Sequence, residues 1–139
     1  MKAIDSKPIT IATIDGQMNQ VMAERLFPHA SHFAHPNMTD SAQILLDVAS
    51  KKTDVTFAEP GIATIFLRGN PDTVKNITKD KPIAIFANTM MFKIGEPKFK
   101  SMLDTALTEL VNTGYVDTVL DKYEPKSKVY YRLANPYQQ

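Results

Sequence analysis

A carboxylate that follows an apolar strand and precedes a proline places a negative charge at the edge of a sheet, at the start of the next helix. Residues 53–60, TDVTFAEP, present one: Val55, Phe57 and Ala58 suit a core and Glu59 ends the run. A reading without a ligand also fits, because an acid at the start of a helix is stabilised by the helix dipole while it faces water. The second candidate is the turn Asp15-Gly16-Gln17-Met18-Asn19. Its glycine allows close backbone approach, and free N–H groups at a helix start accept an anionic group. A plain turn glycine fits there too, and the Asp15 carboxylate would repel an anion. His29, His32 and His35 invite a metal reading, but in an extended segment His32 and His35 point to opposite faces, so one ion could not take both without a sharp bend. The chain contains no GxSxG, P-loop or paired-carboxylate motif, and no serine is placed with a histidine and an acid. No catalytic residue, metal ligand or cofactor is therefore assigned.

Both candidates depend on elements that hold them at strand ends. PITIATIDG, residues 8–16, is a β-branched run stopped at Gly16, and a helix follows in which Met18, Val21, Met22 and Leu26 recur before Pro28. SHFAH, residues 31–35, reads as a short strand closed by Pro36. Thr39 can cap the next helix, with Asp40 near its positive end and Ala42, Leu45, Leu46 and Ala49 as its apolar stripe. TDVTFAE is the third strand, and a helix opens at Pro60. Two more strand patterns run from Ile83 to Ala87 and from Thr89 to Ile94. Phe99, Met102, Leu103, Ala106, Leu107 and Leu110 then form a helical stripe that Gly114 should end, and Val116, Val119, Leu120 and Tyr123 form a shorter one. Alternating strands and helices predict an α/β fold in three layers, with a mostly parallel sheet covered by helices on both faces. In such a sheet ligands bind beyond the carboxyl ends of the strands, which is where Gly16 and Glu59 fall.

Composition narrows the partners. With 16 Lys and Arg against 15 Asp and Glu, nothing electrostatic points to nucleic acid or to an anionic membrane. The 139 residues are 43% apolar, enough for a real core, and the absence of cysteine removes disulfides and thiolate chemistry together. Met1 to Asp5 shows no basic-then-apolar export signal.

The order of segments from SKPITIATIDGQMNQ through TDVTFAEPGIATIFL, followed by TMMFKIGEPKFKSMLDTALTELVNTGYVDTVLDKYEP, resembles bacterial extracellular solute-binding proteins of family 3. These are the polar amino-acid receptors of ABC transporters, with the type II periplasmic binding fold. The resemblance covers about residues 3 to 125. It implies a second lobe over residues 3–96, returning C-terminal helices over 97–125 and a tail over 126–139. It further implies a ligand site at Gly16, Gln17, Met18 and Glu59, in which the Gly turn holds an anionic group and the acid pairs with the ligand's ammonium. Gln17 and Met18 stand where the family has hydroxyl residues, and Glu59 where it more often has Asp.

The expected function is thus that of a solute-binding lobe for an amino acid or similar small amine-bearing solute. In the full-length protein it would be periplasmic or extracellular and would work with a membrane permease. The alternatives on the same scaffold are a dehydratase of cyclohexadienyl type and a sensory input domain. The family's first lobe has no counterpart upstream of residue 3, so the stripe beginning at Phe99 lacks the surface it covers in the relatives. The stripe can fold back on its own sheet or cover a second copy of the chain; a homodimer is the expected form, with the C-terminal helices exchanged through Asn88 to Lys93 as one version of it.

Overall fold

The computed structural model describes residues 8–78, 81–124 and 129–132. They fall into two compact units divided between Ile77 and Thr78.

The first unit is α/β. Strands β1 (Thr10–Ile14), β2 (Ser31–His35) and β3 (Val55–Thr56) form a parallel sheet in the order β2-β1-β3. Helix α1 (Met18–Leu26) joins β1 to β2, α2 (Ser41–Ala49) joins β2 to β3, and α3 (Pro60–Gly69) follows β3 and packs on α2. Alternation along β1 sends its side chains to two cores. Ile11 packs with Ala23 and Phe27 on the α1 side, where Phe27 also stacks on Phe57 at 5.8 Å. Ala12 and Ile14 meet Ile44 of α2 on the other. The sheet is therefore the middle of three layers.

Several local expectations hold. Gly16 takes φ 74° and Gly114 φ 72°, Pro60 opens α3, and α1 ends before Pro28. Others are corrected. Asp40, not Thr39, is the N-cap of α2, its Oδ1 accepting the Ala42 N–H at 2.7 Å. Met18 and Val21 are half exposed, and α1 turns Ala23 inward instead. In α2, Leu46 is exposed while Ile44 and Asp47 are buried, because the helix is rotated to bring Asp47 against His35. The strand expected over residues 53–59 is shorter, since β3 pairs over two residues only, and it lies at the edge of the sheet.

Thr13 is fully buried on the α1 side, and among the described residues its hydroxyl has no hydrogen-bond partner. A hydroxyl left dry in a core costs stability that a methyl of the same shape does not. Thr13→Val is expected to stabilise the first unit by about 1 kcal/mol, read as a shift of the urea midpoint with the slope unchanged. Loss of stability would mean that the hydroxyl has a partner in solution.

The second unit contains α4 (Pro97–Asn112) and α5 (Tyr115–Tyr123), which pack together. Arg132 fastens residues 129–132 to α5 by pairing with Asp117 at 3.4 Å, Asp121 at 2.9 Å and Glu124. Burial alone would raise the Glu124 carboxyl. The Arg132 guanidinium and the Tyr130 N–H more than offset this and hold it below the usual carboxylate range. The two strand patterns expected at Ile83 to Ala87 and Thr89 to Ile94 are not strands. Among the described residues this unit holds no strand for them to pair with, and an apolar alternation without a partner edge does not make a sheet.

Candidate functional site

The order β2-β1-β3 creates a switch point. From β1 the chain moves by α1 to one side of the strand, and β3 lies on the other side, so the carboxyl ends of β1 and β3 are the position at which sheets of this kind carry a binding crevice. Thr10, Ala12 and Ile14 direct their N–H groups toward β3. Thr10 gives its N–H to Asp54 Oδ2 at 2.8 Å and the Ala12 carbonyl accepts the Thr56 hydroxyl at 2.8 Å, but the Ile14 N–H goes instead to Asn19 Oδ1 at 2.9 Å. The strands part after Thr56, and Asn19 satisfies the backbone group that this parting frees.

On the β1 side of this position stands the Gly16 turn. A Cβ at Gly16 would only touch Asn37 at 3.9 Å, so the positive φ rather than crowding calls for glycine. Its N–H is already taken by Gln20 Oε1 at 2.8 Å, and the Gln17 N–H by the Ile14 carbonyl at 3.1 Å. Gln20 in turn donates to Glu24 at 2.8 Å. The turn is thus closed by its own helix, and an anion would have to displace the half-buried Gln20 amide to reach Gly16. Met18 is half exposed at the first turn of α1.

On the β3 side, Glu59 is the N-cap residue of α3 and is exposed, yet its side chain makes no capping bond. Among the described residues neither the Glu59 nor the Asp15 side chain has a hydrogen bond or ion pair, so two free carboxylates stand on adjoining strand ends. The loops after the three strands, residues 15–17, 36–40 and 57–59, contain no Lys, Arg or His. The side chains left free at this end of the sheet therefore carry negative charge.

The chain matches no family model, no curated protein and no solved structure.

The structure also assembles a group that the sequence reading did not assign. His35, the last residue of β2, directs Nε2 to Asp47 Oδ2, and Asp47 is 2% exposed. The other oxygen accepts from Gln43 Nε2 at 3.1 Å and lies 3.8 Å from Lys52 Nζ, which sits over the Phe33 ring at 4.0 Å. Burial would raise the Asp47 carboxyl. Hydrogen bonds from His35 and Gln43, with the charges of His35 and Lys52, outweigh it and leave the group below its usual value. His32 lies on the opposite, exposed face of β2. The spacing of His35 and Asp47, twelve residues apart on two elements, leaves no sequence signal.

Proposed function

We propose that the first unit is a ligand-binding lobe of a solute receptor of the ABC-transporter type, taking an amino acid or a similar small amine-bearing solute without chemical change. The observation that carries this reading is the unpaired Glu59 carboxylate at the carboxyl end of β3, beside the switch point between β1 and β3. A carboxylate kept free of protein partners at a ligand-binding position of an α/β sheet can meet an ammonium group that an enclosed pocket would otherwise exclude. The resemblance to family 3 solute-binding proteins supports this role for Glu59, with Gly16, Gln17 and Met18 meeting the anionic group of the same ligand. In this reading the full-length protein is periplasmic or extracellular, its first lobe closes over the ligand, and a membrane permease receives it.

The test is an amide NMR titration of the chain with amine-bearing amino acids. A half-site worth about 3 kcal/mol binds in the millimolar range, so ligand is taken to about 50 mM. Shifts concentrated at residues 16–18 and around Glu59 are expected. Shifts confined to other surfaces, or none, would overturn the reading.

A further inference from the structure

Among the described residues of the second unit, the apolar stripe of α4 is left largely uncovered. No residue of the helix is buried, and Met102 is 59% and Phe99 41% exposed although α5 packs alongside. The stripe is symmetric about the middle of the helix. Phe99 and Leu110 each lie two residues from an end, Met102 and Leu107 five, and Leu103 and Ala106 six. A helix laid antiparallel on its own copy would therefore bring Phe99 over Leu110 of the second copy, with the two inner pairs between them.

The charges select the same arrangement. Lys98 and Glu109 are eleven residues apart, about three turns, so they share one flank of the stripe. Across a two-fold axis between antiparallel helices like flanks meet, and Lys98 of each copy faces Glu109 of the other. A parallel pair would gather Lys98 and Lys100 of both copies at one end. The opposite flank carries Lys100 and, eleven residues on, Val111. Beside Lys100 lies an open groove of about 380 Å³, also lined by Phe92, Ile94 and Pro97. In the antiparallel pair Val111 of the second copy arrives at that groove.

We propose that α4 is a homodimerisation surface on which two copies of this chain pair antiparallel, with the two-fold axis at the middle of the helix. Sixteen residues make a helix only about 24 Å long. The contact is thus smaller than the roughly 800 Å² per partner of a standard interface, and the dimer forms at micromolar or higher concentration.

Sedimentation equilibrium of the full chain from about 10 μM to 1 mM is expected to show a monomer–dimer equilibrium. Leu107→Glu should raise the dissociation constant at least about ten-fold while circular dichroism shows the helices retained. Lys98→Glu alone should raise it about three-fold at low salt, and Lys98→Glu with Glu109→Lys should return it close to the starting value. A monomer at every concentration would overturn the proposal, including one whose stripe is covered by its own chain. So would a dimer indifferent to Leu107→Glu, or a double exchange that fails to restore association.

Discussion

Replacing Asp47 by alanine is expected to destabilise the first unit by about 3 kcal/mol, a large share of the stability of a small domain. The cost does not come from lost apolar area. It comes from leaving the His35 imidazole and the Gln43 amide facing a site from which water is nearly excluded. Asp47→Asn keeps an acceptor and should cost less. Acid gives the independent readout. The folded-state carboxyl lies below its ordinary value of 3.8, so its stabilising contribution is complete above that pH and is lost as the pH falls through the lower folded value. The stability gap between the native chain and Asp47→Asn, from urea midpoints, should therefore be constant in its Asp47 part above about pH 5 and close below pH 3.8. A gap that persists unchanged to pH 2 would show that the charge of Asp47 contributes nothing and that packing accounts for the whole effect.

Why this pair was invisible in the sequence, while the helices around it were not, is a matter of range. Hydrophobic spacing, Pro28, Pro60 and Gly114 act within a few residues, and they located α1 to α5 and the three paired strands. His35 and Asp47 meet only because β2 and α2 pack, and that packing turns α2 so that a charged residue faces inward where the apolar count alone favoured Leu46. The same limit explains the region from Ile83 to Ile94. Its alternation describes a surface that could be half buried in a sheet, but a strand also needs an edge to pair with, which the pattern does not encode. For the candidate site, the chemistry of Glu59 and the glycine at position 16 were legible because each follows a strand-ending signal. The closure of the Gly16 turn by Gln20 was not, since nothing in the spacing distinguishes a helix surface amide from one that folds back on the turn.

That closure gives Glu59 the larger part of the expected recognition. In a receptor with both lobes, Glu59→Gln should weaken an amine-bearing ligand by about 2 kcal/mol or more, roughly thirty-fold. The substitution preserves size and one acceptor oxygen but removes the charge that compensates a desolvated ammonium. Glu59→Asp keeps the charge and should retain most of the affinity after a small shift of the ligand. The competing account makes Glu59 a solvated acid at the start of α3. It makes no side-chain cap there, so any stabilisation comes from the helix dipole and amounts to about 0.3–1 kcal/mol, screened by salt. The two accounts separate on paired measurements. A binding role predicts that calorimetry shows the loss of affinity while the unfolding midpoint of Glu59→Gln hardly moves. A solvated acid predicts unchanged affinity, together with a small, salt-sensitive loss of stability. Asp15→Asn is the companion variant, since Asp15 is the other free carboxylate at this end of the sheet. An effect smaller than that of Glu59→Gln places the ammonium on the β3 side of the crevice, and an equal effect places it between the two strands.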